Sequence, residues 1–186
     1  MVVLRWFARQ VFKWLGWKII GDLPQGLDKA VLVMAPHTSN WDFFYGMTTV
    51  LIKQVSARFA IKQEVMLFPL GPLLRWLGAI PIDRRRRGRQ TAQAAMMGQL
   101  FQEHEKLVLI IAPEGTRSYA PRWKTGFYRI AMQAQVPIVL GYLDYTKKHA
   151  GIGPVFYPTG NVERDIQEIR AFYKDKTGKY PAQGVW

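Results

Sequence analysis

Three short apolar runs constrain this chain more than any other feature: VLVMA at 31–35, LVLII at 107–111 and VPIVLGY at 136–142. Each is short, continuous and without polar alternation, so each reads as a strand buried on both faces. Helical patterns lie between them. Residues 40–55 follow a cap at Ser39 or Asn40, residues 89–105 carry Ala95, Met96 and Leu100, and residues 124–134 form a short third helix. Asn161 caps a last helix with Ile166, Ile169 and Phe172 turned inward. Strands alternating with helices predict an α/β fold in one domain, with a parallel or mixed sheet flanked by helices. No internal repeat or linker marks a second domain, and 186 residues, 49% of them hydrophobic, suffice for one core.

Ahead of this domain, which is assigned to residues 21–186, residues 1–20 read as an amphipathic helix. Arg5, Arg9 and Lys13 recur at helical spacing, while Trp6, Phe7, Phe12, Trp14, Leu15 and Trp17 cover much of the remaining circumference. Either the aromatics are buried against the core, or the helix lies in a membrane interface, where tryptophan suits the headgroup boundary. The interfacial helix is the expectation. The three cations interrupt any secretory-signal apolar region, so the segment is expected to stay on the mature protein. The most apolar continuous stretch, residues 65–74, is short and broken by Pro69, Gly71 and Pro72, which excludes it as a bilayer span.

Lysine and arginine total 26 against 13 acidic residues, a formal charge of +13 that calls for an anionic partner: phosphate, nucleic acid or lipid headgroups. The chain has no cysteine, hence no disulfide, thiol nucleophile or thiolate ligand, and no metal site is expected. His104, in a charged helix end, and His149, in a loop after two lysines, receive no role.

The strand candidates run into polar clusters at their C-terminal ends, the edge at which open α/β sheets bind ligands. They are PHTSNWD at 36–42, Asp83 and the arginines at 84–87 after GAIPI at 78–82, and PEGTRS at 113–118. His37 and Asp42, five residues apart, do not share a face of one continuous helix. If a helix starts between them, Asp42 falls in its first turn and His37, on the preceding loop, folds back to the carboxylate. One imidazole tautomer is then fixed and the other nitrogen is left as a general base. Taken in isolation, a capped helix beside a loop histidine explains the same spacing.

The order H-x-x-x-x-D (His37, Asp42), GAIPIDR (78–84), PEGTRS (113–118) and VPIV (136–139) resembles the glycerolipid acyltransferase family, typified by the 1-acylglycerol-3-phosphate acyltransferases. FAIKQE at 59–64 and KTG at 124–126 are similar to further family segments, and Pro36 stands where many members have Asn. The resemblance implies that His37 deprotonates an acceptor hydroxyl, which attacks the thioester of acyl-CoA or acyl carrier protein without an acyl-enzyme and without a cofactor. Asp42 would orient His37. Neither Ser39 nor Ser118 sits in a G-x-S-x-G elbow, which agrees with direct attack.

By the same resemblance Arg84 and Arg117 are phosphate ligands, a role that suits a bidentate guanidinium. Gly115 and Thr116 belong with the substrate-binding residues, Gly115 permitting a tight turn beside the ligand. Glu114 either contacts the acceptor or pairs with Arg117. Lys62 either meets a phosphate or is an ordinary surface lysine. The arginines at 85–87 and Arg89 read as a solvated basic face, and the apolar residues of 66–77 serve equally as core or as a surface for acyl chains.

The implied reaction is acylation of a phosphate-bearing glycerolipid, foremost lysophosphatidate to phosphatidate, on the cytoplasmic face of an anionic membrane as a peripheral or monotopic protein. Other lysolipids or glycerol-3-phosphate are alternative acceptors. The rival class is a non-catalytic basic module gripping anionic lipid or nucleic acid. It explains the charge but not the carboxylates beside the arginines, and with no nucleic-acid motif present nucleic acid is not an expected partner.

Overall fold

The run at 31–35 becomes most of a central strand, through to its C-terminal end, because both of its faces find apolar cover. A computed structural model describes residues 2–67, 69–82 and 90–184, without the side chains of 62, 82 and 90–94. In chain order the elements are α1 (Val2–Trp14), β1 (Lys18–Ile20), β2 (Lys29–Ala35), α2 (Trp41–Lys53), β3 (Ala57–Lys62), α3 (Leu70–Trp76) and β4 (Ala79–Ile82). There follow α4 (Gln90–Glu103), β5 (Leu107–Ile111), α5 (Gly126–Ala134), β6 (Ile138–Asp144), β7 (His149–Phe156) and α6 (Val162–Phe172). The described residues form one mixed sheet in the order β1-β7-β6-β2-β5-β3-β4, with β6 and β7 antiparallel and the other pairings parallel.

Alternate residues of β2 enter different cores, as the strand period requires. Val31, Val33 and Ala35 pack with Phe101 of α4, Phe127 of α5 and Ile169 of α6. Ala30, Leu32 and Met34 face the other way, where α1 and α2 cover the sheet through Phe12 and Ile52, with Trp17 of the turn after α1 beside Leu143 of β6. α2 leaves β2 for one face and α5 leaves the adjacent β5 for the other. That reversal sets the topological switch point, where open α/β sheets have their ligand crevice, at the C-terminal edge between β2 and β5.

The expected α/β domain is therefore present, with a mixed sheet. The helix expected over 1–20 is corrected at its end: it stops at Trp14, and Lys18–Ile20 pair with β7 as an edge strand. The aromatic ring of this segment divides. Trp6, Phe7 and Trp14 are exposed, whereas Phe12 and Trp17 are buried against Tyr45 and Tyr145. The placement of His149 in a loop is also corrected, because it opens β7. Among the described residues no helix is long and apolar enough to cross a membrane.

Helix α6 is fixed at both ends. Asn161 accepts from the Arg164 amide as its cap. The buried Asp165 accepts from Tyr128 Oη (2.6 Å), the Thr159 amide (2.7 Å) and Thr159 Oγ1 (2.8 Å). Just past its C-terminus, Tyr173 Oη donates toward the carbonyls of Val33 (3.0 Å) and Gly141 (3.2 Å) and so ties the helix to the sheet. Asp165→Ala leaves the Tyr128 and Thr159 donors unpaired and should lower the unfolding free energy by about 3 kcal/mol, against about 1 kcal/mol for Tyr128→Phe. Urea denaturation of the two variants checks this.

Candidate active site

His37 lies two residues past the end of β2, and Glu114 lies three past the end of β5. Ile111 pairs with Val33, so β5 stops short of β2 and the turn after it comes alongside the β2 loop. Glu114 Oε1 accepts the His37 amide at 3.1 Å. His37 itself is only partly buried, its side chain 27% exposed, while Asp42 is 3% exposed and Glu114 2%.

The loop before α2 closes on Asp42. Asn40 occupies the cap position but makes no side-chain cap bond; Ser39 Oγ accepts from the Trp41 amide instead. Asp42 Oδ2 accepts the Thr38 and Ser39 amides, both at 2.8 Å, and pairs with His37 Nδ1 at 3.0 Å. Its other oxygen, Oδ1, accepts Tyr145 Oη at 2.6 Å. Burial pushes this carboxyl up, but hydrogen bonds from His37, Tyr145 and the Ser39 amide outweigh it and hold Asp42 below the ordinary aspartate range. An ionised carboxylate only accepts, so Nδ1 carries a proton and, in the neutral imidazole, Nε2 is left with its lone pair.

Glu114 behaves in the opposite way. Burial pushes its carboxyl up, the Asp42 charge adds to that, and hydrogen bonds from its own amide and that of His37 compensate only in part. Its Oε2 is buried with no hydrogen-bond partner among the described residues. Of the two readings of Glu114, contact with the acceptor or pairing with Arg117, the second is not seen among the described residues: Glu114 turns inward to the His37 amide, whereas Arg117 is exposed. Gly115 takes φ +64, and a Cβ there would lie 2.6 Å from Lys124 Nζ, so the turn that glycine permits is packed under a lysine side chain. Thr116 is exposed, and its Oγ1 accepts the Ser118 amide. Lys62 ends β3 in register with Ile82 of β4, and its side chain lies outside the described residues. Arg84 also lies outside them, as do the arginines at 85–87 and Arg89.

Sequence reasoning missed the C-terminal segment that straps this edge. The Tyr145 amide donates to the Thr177 carbonyl (2.8 Å), and the Tyr180 amide donates to Thr38 Oγ1 (3.2 Å). With its amide nitrogen as donor, Gln183 bridges the carbonyls of Arg117 (2.7 Å) and Thr38 (3.1 Å), joining the β5 and β2 loops. Lys179 Nζ stands 4.8 Å from the centroid of the Trp41 ring. No residue type in KTGKYPAQ signals such a role; it arises because Tyr173 delivers the chain to this edge.

Comparison with known proteins follows the same region. The Acyltransferase family model matches residues 18–140. The chain is 30% identical over 174 residues to 1-acyl-sn-glycerol-3-phosphate acyltransferase beta of Homo sapiens, an overlap of 90% of this chain and 61% of that protein. It therefore spans about three fifths of that relative's length. Its fold is similar to the crystal structure of the 1-acyl-sn-glycerophosphate (LPA) acyltransferase PlsC from Thermotoga maritima, with a TM-score of 0.58, 16% identity and coverage of 90% of this chain and 76% of that one.

Asp42→Ala leaves two loop amides and a phenol without their acceptor and should lower the unfolding free energy by about 3 kcal/mol. Asp42→Asn should cost less than half of that, because an amide oxygen accepts from the loop and the amide nitrogen faces the Tyr145 oxygen. The folded carboxyl titrates below its unfolded value of about 3.9. The advantage of aspartate over asparagine is thus fully present above that value and is lost as pH falls through the folded one. Urea midpoints of the three proteins along an acid series measure both effects.

Proposed function

The chain belongs to the acyltransferase family, and on that premise we propose that it moves a fatty acyl group from a thioester donor to a hydroxyl of a phosphate-bearing glycerolipid. The observation that carries this reading is the His37–Asp42 pair at the C-terminal edge between β2 and β5, with Nδ1 engaged by an ionised carboxylate and the imidazole still reachable from solvent.

Nε2 of His37 takes the proton of the acceptor hydroxyl as its oxygen attacks the thioester carbonyl. The tetrahedral intermediate collapses, the C–S bond breaks, and the thiolate leaves with the proton from the imidazolium. Asp42 stabilises that imidazolium through Nδ1. No acyl-enzyme and no cofactor enter this scheme. The donor is acyl-CoA or acyl carrier protein. Lysophosphatidate is the proposed acceptor, its phosphate met by Arg84, Arg117 and Lys62 and its glycerol end near Glu114, Gly115 and Thr116.

The same reading places the protein at the cytoplasmic face of a membrane through α1. Arg5, Arg9 and Lys13 supply attraction to anionic headgroups of roughly 1 kcal/mol each, which salt weakens. Trp6, Phe7 and Trp14, exposed at 61%, 60% and 85%, supply an apolar part that salt does not remove.

Thiol release from palmitoyl-CoA, measured with lysophosphatidate, other lysophospholipids and glycerol-3-phosphate, tests the activity. Acceptor-dependent release with lysophosphatidate fastest is the expected result, and release with none of them overturns the reading. His37→Ala should lose about 100- to 10,000-fold in rate while keeping its fold. A variant that keeps more than about a tenth of the wild-type rate shows that the base lies elsewhere.

Replacing Trp6, Phe7 and Trp14 together by serine should weaken binding to phosphatidylglycerol-containing vesicles by at least about tenfold at high salt. Its melting temperature should not change, since none of the three is buried. Vesicle co-sedimentation and thermal melts measure the two.

A further inference from the structure

We propose that Tyr145 is a positioning residue for acyl transfer, holding the Asp42 carboxylate in the plane and charge state that His37 needs. The proposal rests on His37 acting as the base. It concerns a residue beyond the 18–140 stretch matched by the family model.

The two oxygens of Asp42 are served unequally. Among the described residues Oδ2 takes three donors, two of them amides of its own loop, whereas Oδ1 takes only the Tyr145 hydroxyl. Rotation about the Cβ–Cγ bond moves both oxygens together and would swing Oδ2 out of line with Nδ1–H. The bond from Tyr145 at 2.6 Å removes that freedom. It also offsets part of the cost of keeping the charge where Asp42 is 3% exposed.

Tyr145 is itself held from three directions. Trp17 meets its ring edge-on at 5.0 Å, Tyr45 does so at 5.9 Å, and its amide donates to Thr177 of the C-terminal strap. Trp17 follows α1, Thr177 lies in the C-terminal strap and Tyr45 lies in α2 three residues after Asp42, so the donor to Asp42 is aimed from both ends of the chain as well as from the motif's own helix. Such a seat preserves the hydroxyl's direction, and a phenylalanine in the same seat keeps every ring contact while losing the donor. The titratable groups that face this pair are His37 and Glu114 around Asp42, and Tyr45 and Tyr180 around Tyr145.

The test is Tyr145→Phe in the full chain, assayed by thiol release across pH, alone and combined with His37→Ala. The single variant should keep its melting temperature within a few degrees and its KM for donor and acceptor within about twofold, and should lose about tenfold in kcat. Without the phenol, Asp42 gains proton affinity, and the charge that His37 needs beside Nδ1 is lost at a higher pH. That loss moves the acidic limb of the kcat–pH profile to higher pH. Because Tyr145 acts through His37, Tyr145→Phe should add no further loss in the His37→Ala background. A wild-type kcat and acidic limb in the single variant overturn the proposal, and so does a kcat loss with an unmoved limb or an additive loss in the double variant. If His37→Ala itself remains active, the general-base reading fails and this proposal falls with it.

Discussion

Asp42 is the constraint on which the C-terminal edge of this sheet depends. A carboxylate at 3% exposure survives only if its charge is matched by donors, and here four converge: two amides, an imidazole and a phenol. Meeting that demand forces the rest of the arrangement. The loop at 38–39 must turn its amides inward, α2 must begin at Trp41, His37 must fold back, and Tyr145 must reach across from the end of β6. The dyad is therefore both a chemical device and the folding solution for a buried charge.

Glu114 shows how differently a second buried carboxyl is treated a few ångströms away. It receives one amide from His37 and leaves Oε2 without a partner among the described residues, so burial dominates and its proton affinity rises where that of Asp42 falls. Two carboxyls whose environments push them apart in this way divide their roles. Asp42 keeps its charge beside the imidazole, whereas Glu114 turns inward and fixes the backbone of the histidine. This explains how acidic side chains coexist with a +13 chain at an edge proposed to receive phosphate.

Much of this was legible because the residues concerned speak through local pattern. β2, β5 and β6 are apolar runs whose two faces are both buried, and the Asn161 cap of α6 is a short-range signal; each appears where the sequence places it, within a few residues. The H-x-x-x-x-D spacing made the dyad visible once a helix start was placed between its members. Elements defined by partners rather than by pattern were not legible. β7, whose first residue His149 was expected in a loop, contains Gly151, Gly153 and Pro154, and those glycines make room for the rings of Tyr142 and Phe172, against which any Cβ would clash. Tyr145 reads as one more aromatic after a strand, and nothing in its neighbours announces that it meets Asp42 from 103 residues away.

The N-terminal segment resolves a choice that its composition leaves open, because a helix of this width has room for two allegiances. Ala8 and Phe12 face inward with Trp17 of the following turn, while Trp6, Phe7 and Trp14 face outward. One surface is core and the other is unpartnered apolar area of the kind that marks an interaction site. The inward residues include the ring that seats Tyr145, so the helix proposed to meet lipid is rigidly continuous with the donor that holds Asp42. Removing the whole segment would strip away that seat together with the membrane contact. The two functions can therefore be separated only by changing its outward face alone.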